Sequence, residues 1–214
     1  MNPADLATYQ KRYSSRLAEH GVTPQALGWM DGRQELRFAA LTELLPVGRL
    51  RSVLDVGCGF GDLSAYLRSA GFQGTYTGID FVPQLIEAGQ KLYPAEDLRV
   101  SDVAEISADE RYDLVVESGI FNSRLEHEDN WTHIETTLEK MFALCEVAVT
   151  GDFLSAQVDF TQADAYYTAS EKVLEYAKSL TRRVMVRHDY LPFEFAVYMF
   201  KDDRIVERNK FAPL

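Results

Sequence analysis

From residue 51 onward the chain predicts an α/β fold: a doubly wound, mostly parallel sheet preceded by an N-terminal helical extension. Three observations carry this expectation. Short β-branched or apolar runs alternate with helical stretches, a pattern that packs helices on both faces of a parallel sheet. A glycine-rich turn, Gly57-Cys58-Gly59-Phe60-Gly61, joins one such run to the helix that follows. The last two runs, Arg183 to His188 and Phe195 to Lys201, have only Asp189 to Glu194 between them. No crossover helix fits in so short a gap, so that pair must be antiparallel.

The elements follow in order. Leu6 to His20 and Arg33 to Leu45 read as helices, the second placing Leu36, Ala40 and Leu44 on one face with Leu41 and Leu45 beside them. Pro24 and the stretch Gly28 to Gly32 separate the two. Strands are expected at Ser52 to Val56, Tyr76 to Ile79, Leu98 to Val100, Tyr112 to Glu117 and Glu146 to Thr150. Between them lie helices at Asp62 to Ser69, at Pro83 to Leu92 with proline in its first turn, and at Trp131 to Leu144. A further helix at about Ala163 to Leu180 leads into the final pair. At 214 residues this is one structural unit, with residues 1–50 as the extension and 51–214 as the main domain.

Composition narrows the function. A formal net charge of −11 repels polyanions, so nucleic acid and anionic membranes are disfavoured as partners. The one compact basic cluster, Arg182 and Arg183 with Arg187 nearby, reads as a solvated strand edge. No run approaches the roughly 20 apolar residues of a membrane span. The first 21 residues carry Asp5, Lys11, Arg12, Arg16 and Glu19 with no apolar stretch, unlike a secretory leader. The two cysteines, Cys58 and Cys145, stand far apart without a CxxC, which fits a reducing, cytoplasmic setting. Oligomeric state is not readable.

The glycine turn is the sharpest feature. Its spacing is GxGxG, with Asp55 before it and Asp62 after it. Two carboxylates there would repel a pyrophosphate, whereas a ligand with a cationic centre suits them. Asp80 closes the second strand at Gly78-Ile79-Asp80. A carboxylate about 20 residues past such a loop can accept from two adjacent ribose hydroxyls. The bland alternatives are a ligand-free strand-to-helix turn and, for Asp80, a helix cap before Pro83.

Over about residues 50–202 the chain resembles the class I S-adenosylmethionine-dependent methyltransferases, as a small bacterial-type member. The matching segments are VLDVGCGFGD (53–62), YTGID (76–80), VSD (100–102), YDLVVESG (112–119) and the terminal hairpin, in the family's order. The resemblance implies a seven-stranded sheet ordered 3-2-1-4-5-7-6 with strand 7 reversed, and S-adenosyl-L-methionine as cofactor. It places Asp55, Gly57, Gly59 and Gly61 along the methionine and ribose, Asp80 on the ribose hydroxyls and Phe81 on the adenine face. Asp102 and Val103 fall at the adenine edge, and Glu117, Ser118 and Gly119 beneath the sulfonium. Asp102 by itself is more often a strand-end cap, so its place at the adenine rests on the resemblance.

A methylsulfonium is already activated, so transfer needs mainly alignment and a dry pocket, and a base only if the acceptor must lose a proton. In open α/β sheets the reaction lies beyond the carboxyl ends of the strands. That rule selects Ser118 to Arg124, Asp152 to Ser155 after strand 5, and His188 to Pro192. The candidate catalytic residues are Glu117, Asn122 and His188, with Tyr190 on the same rim and His188 farther from the methyl group than the other two. The extension, with Tyr9, Tyr13 and Trp29, is expected to be the opposite wall. Glu126, His127, Glu128, Asp129 and His133 match no metal-binding spacing, and no metal is expected. Tyr166, Tyr167 and Tyr176 read as one helical packing set, and Cys58 as a small buried filler. The expected function is O- or N-methylation of a small molecule. The alternatives are cyclase or lyase chemistry releasing methylthioadenosine, protein methylation, or a scaffold on a relic fold.

Overall fold

The structure is a computed structural model, described for residues 1–29 and 32–203. The final residues of the 51–214 span, and positions 30 and 31 of the extension, therefore lie outside the described residues. Strands β1 (Ser52–Val56), β2 (Thr75–Asp80), β3 (Asp97–Val100), β4 (Tyr112–Glu117), β5 (Cys145–Leu154), β6 (Arg183–Arg187) and β7 (Glu194–Phe200) form one sheet. Its order is β3-β2-β1-β4-β5-β7-β6, with β7 antiparallel to both neighbours and the other pairings parallel. This is the order and the reversal expected from the sequence.

Helices α2 (Arg33–Thr42), α3 (Asp62–Ser69) and α4 (Pro83–Leu92) cover one face, and α5 (Asn130–Leu144) and α6 (Ser170–Leu180) the other. Because side chains alternate along a strand, a strand covered on both faces must be apolar at every position. β7 shows this beyond its first residue, Glu194: Ala196, Tyr198 and Phe200 join the cluster beneath α2 and α3, while Phe195, Val197 and Met199 join the one beneath α5 and α6. Helix α1 (Pro3–His20) lies across the carboxyl ends of the first strands and packs beside α4.

Four expectations need correction. Of the expected core face, Ala40 and Leu41 of α2 and Leu45 beyond its end are buried, whereas Leu36 and Leu44 are exposed; Phe38 and Arg37 are buried in their place, Arg37 with a buried carboxylate partner, Glu194. Strand β5 continues through Leu154, since β7 supplies rungs from Gly151↔Val197 to Leu154↔Glu194 after β4 has ended. Asp152 therefore lies within the strand, not after it. The sixth helix begins at Ser170, not near Ala163. Residues 164–168 instead run from a turn through isolated bridges at Ala165 and Thr168, their backbone bonded to Asn122, Arg124, Leu154 and Ala156, so Tyr166 and Tyr167 precede the helix that carries Tyr176.

The basic residues at the β6 edge are taken up locally, Arg183 by Asp202 and Arg187 by Asp189 and Glu43. The α4 packing bears directly on the glycine loop. A Cβ at helical Gly89 would lie 2.4 Å from the Phe60 carbonyl oxygen, so only glycine lets α4 touch the loop. Replacing a helical glycine by alanine ordinarily stabilises by about 1 kcal/mol. Here Gly89→Ala is expected to destabilise by about 1 to 3 kcal/mol, as overpacking does, measured by urea unfolding. An increase in stability would show that α4 does not seat on the loop.

Candidate functional site

Strand β1 delivers the chain into the loop at its carboxyl end. Gly57 and Gly59 have φ of 74° and 57°, values that side-chain-bearing residues rarely adopt. Both are also closely approached: a Cβ at Gly57 would meet Ile120 at 2.2 Å and one at Gly59 would meet Leu27 at 2.9 Å. The loop thus floors a cleft roofed by the segment after α1, and Gly61 caps the start of α3. Asp55, Gly57, Gly59, Asp80, Phe81 and Asp102 line this cleft. So do Val103, Ser118 and Gly119 from the remaining expected set, with Tyr9, Tyr13 and Trp29 on the opposite wall.

Two buried carboxylates dominate its electrostatics. Asp55 accepts a 2.5 Å hydrogen bond from the Tyr76 hydroxyl, and Asp80 accepts from Gly59 N–H at 3.0 Å and Val82 N–H at 2.9 Å. Burial pushes Asp55 up to about 7; the Tyr76 bond opposes this, and the charges of Asp80 and Asp62 add to it. Burial likewise pushes Asp80 up to about 6 against the N–H groups it accepts from. Among the described residues no Lys or Arg forms an ion pair with either. Each Asp80 oxygen has used one acceptor direction, Oδ2 on Gly59 of the loop and Oδ1 on Val82 before α4, and keeps another. Asp80 is thus not a helix cap; it braces the glycine loop and remains able to accept from a ligand.

Asp102 caps a 3-10 turn at Val103–Glu105, accepting from Ala104 N–H, so the cap reading holds alongside its place on the cleft. Phe81 meets Tyr9 edge-on at 5.9 Å, and its carbonyl accepts from Gln10. Asp62 is turned away, accepting from Tyr93 and Gln34. Cys58 is buried, its sulfur packed against Gly78.

Beyond Gly119 the three catalytic candidates separate. Glu117 is fully buried behind the turn; its Oε2 accepts from Ile120 N–H and its Oε1 has no partner among the described groups. Burial, then the charge of Asp152, pushes its carboxyl well up. Asn122 does not line the cleft: its side-chain oxygen accepts from Leu154 N–H and its backbone carbonyl from Tyr166 N–H, tying the loop after β4 to the end of β5. His188 also lies away from it, exposed, with Nε2 3.0 Å from Ser155 Oγ and its ring stacked on Phe195.

Sequence reading missed what closes the roof. Buried Asp5 of α1 accepts from Glu126 N–H and His127 N–H and lies 3.2 Å from His127 Nδ1. Asn2 N–H donates to Glu128. The acidic loop thus serves as a latch for α1, and its long-range partners leave no local pattern. His133 and Thr137 of α5, also unforeseen, line the cleft beside Val103.

A family model described as a methyltransferase domain matches residues 53–146. A Mycobacterium tuberculosis protein named as a methyltransferase, Rv1506c, is 32% identical over 155 residues, covering 70% of this chain and 93% of the relative. Among solved structures, magnesium protoporphyrin IX methyltransferase from Synechocystis, solved with bound S-adenosylhomocysteine, superposes with a TM-score of 0.65 at 16% identity. That match covers 91% of this chain and 95% of the other. A TehB-like S-adenosylmethionine-dependent methyltransferase from Corynebacterium glutamicum gives 0.57 at 21%, covering 94% and 100%. At these identities the structural matches speak for the fold alone.

The raised carboxyl groups fix a pH dependence. An acid whose pKa is higher folded than unfolded binds its proton more tightly in the folded state, so folding stability falls as pH rises from about 4 to about 7. For Asp55 the effect is on the order of a few kcal/mol. Asp55→Asn should therefore flatten the decline, melting several degrees above wild type at about pH 7.5 and much closer to it at about pH 4. Parallel melting curves for the two ligand-free proteins across this range would contradict the burial argument.

Proposed function

The chain belongs to the class I S-adenosylmethionine-dependent methyltransferases, and on that premise we propose that it methylates a small-molecule acceptor at oxygen or nitrogen. One observation carries the size of the acceptor: α1 and the segment after it lie over the cleft, with Tyr9, Tyr13, Leu27 and Trp29 facing the loop and Asp5 fastening the helix. A roofed cleft admits a small molecule more readily than a folded polymer, and the net charge of −11 disfavours nucleic acid.

The residues present fit S-adenosylmethionine. Its charges are a sulfonium, an ammonium and a carboxylate, and the cleft offers Asp55 and Asp80, buried and without a paired cation among the described residues. In this reading Asp80 accepts from the ribose hydroxyls with its remaining lone pairs. Asp55, Gly57, Gly59 and Gly61 frame the ribose and methionine, and Phe81, Asp102 and Val103 enclose the adenine. When bound, the cofactor supplies a methyl group on positively charged sulfur, ready for in-line displacement. The protein's part is alignment and exclusion of water. Ser118 and Gly119 border the donor end, with Glu117 behind them as a buried acid of raised proton affinity. Asn122 acts by holding that loop, and His188 by bracing the rim through Ser155.

The direct test is incubation with methyl-labelled S-adenosylmethionine and an extract of the native cell. A labelled small molecule together with S-adenosylhomocysteine is expected. Methylthioadenosine in its place would mean cyclase or lyase chemistry, and label on protein would mean a protein acceptor.

Because Asp80 also braces the loop, alanine there would unsettle the fold, and asparagine is the cleaner variant. Asp80→Asn should weaken S-adenosylmethionine binding by about tenfold or more, since a hydrogen bond to a charged group contributes about 1.5 to 3 kcal/mol. Binding within twofold of wild type by calorimetric titration would remove Asp80 from the ligand.

A further inference from the structure

Behind the donor end lies a buried polar cluster that the cofactor site does not absorb. Arg37 of α2 donates through Nε to Glu194 Oε2 at 2.7 Å and through Nη2 to the other oxygen, and its Nε lies 4.0 Å from Asp152 Oδ2. Asp152 accepts from the Ser118 hydroxyl at 2.8 Å and from Gly119 N–H at 2.9 Å. The Arg37 guanidinium also stacks 4.2 Å from the centroid of a Trp29 ring. Trp29 in turn presses on Gly119, where a Cβ would come within 2.4 Å of it. Exposure of Arg37, Asp152 and Glu194 is 4%, 0% and 5%.

These contacts close a ring: Gly119 to Asp152, Asp152 to Arg37, Arg37 to Trp29, and Trp29 back to Gly119. We propose that Arg37, Glu194 and Asp152 are positioning residues that fix Trp29 and the Ser118–Gly119 turn against each other, and so set the width of the donor end of the cleft. The meaning of that width rests on the methyltransferase reading. The ring itself does not.

Three features favour positioning over simple stapling of the fold. Burying one guanidinium among carboxylates has a large desolvation cost, and an apolar set of similar volume would stabilise the core as well or better. Both groups fixed by the ring face the cleft, whereas the network lies behind them. The sheet supplies the geometry, since Asp152 pairs with Ala196 and Leu154 with Glu194, which puts Asp152 and Glu194 two positions apart on one face of the β5–β7 ladder. Glu194 saturates the guanidinium fork, a planar bidentate arrangement that lysine cannot reproduce. The buried Tyr190 hydroxyl, unpartnered among the described groups, completes the surround.

Trp29 and Trp131 are the two tryptophans of the chain, so Trp131→Phe leaves Trp29 as the sole indole reporter. In that background Arg37→Lys and Asp152→Asn are expected to shift Trp29 emission to the red, to make it more readily quenched by acrylamide, and to weaken S-adenosylmethionine binding by about tenfold. Arg183→Gln, which loses the Asp202 pair and a stacking contact on Phe200 at the far sheet edge, should change none of these. A purely structural staple would lower the melting temperature while leaving emission and affinity of the folded protein unchanged, and that result overturns the proposal. If Asp152→Asn does not fold, Arg37→Lys decides by the same readouts. Should the wild-type protein bind no S-adenosylmethionine while the variants still shift Trp29 emission, the ring stands and the methyltransferase reading falls.

Discussion

Two desolvated carboxylates at the ends of adjacent strands are the constraint from which the rest of the site follows. β1 and β2 pair in parallel, with Asp55 opposite Gly78 and Val56 opposite Ile79, so Asp55 and Asp80 are carried to the same edge of the sheet. Burial alone would exclude ionised acids from such a place. Asp80 is tolerated because the N–H groups of Gly59 and Val82 donate to it, and Asp55 because Tyr76 does. The glycines at 57 and 59 serve this arrangement: their left-handed backbone turns the loop so that Gly59 N–H reaches Asp80. What remains is a cleft with negative charge to share and spare acceptor directions, complementary to a polyhydroxylated cation.

The N-terminal extension completes the site from a distance. Asp5 reaches the loop at residues 126–127 and Gln10 reaches the Phe81 carbonyl, so α1 is fixed at both the β4 and β2 ends of the cleft. Trp29 continues the cover to Gly119, with Arg37 stacked behind it. Closure over the cleft thus depends on one N-terminal segment whose own side chains reach backbone groups of the main domain.

Much of this was legible in the sequence because its causes are local. The GxGxG spacing needs glycine for backbone reasons, and the alternation of strands and helices needs only periodicity. The reversed last strand follows from a connection too short for a crossover. What was not legible depends on partners far along the chain. Nothing near Asp5 announces a partner 122 residues away. Ala40, Leu41 and Leu45 are buried as their spacing suggests, but Leu36 and Leu44 are exposed, and Arg37 takes a core position through Glu194, 157 residues on. β5 outran its expected end because β7, not its own sequence, extends it. Asn122 and His188 lie on the rim that topology selected, yet their polar atoms are turned to Leu154 and Ser155, a choice of direction that the rule about strand ends does not contain.

The central claim is that the buried acids of β1 and β2 receive S-adenosylmethionine. Calorimetric titration of the wild-type protein at about pH 6.5, in two buffers of different ionisation enthalpy, tests it most directly. Ribose hydroxyls and a nearby cation favour the ionised carboxylates, so saturable one-site binding with net release of protons to the buffer is expected. Absence of saturable binding, or binding that takes up protons, would contradict it.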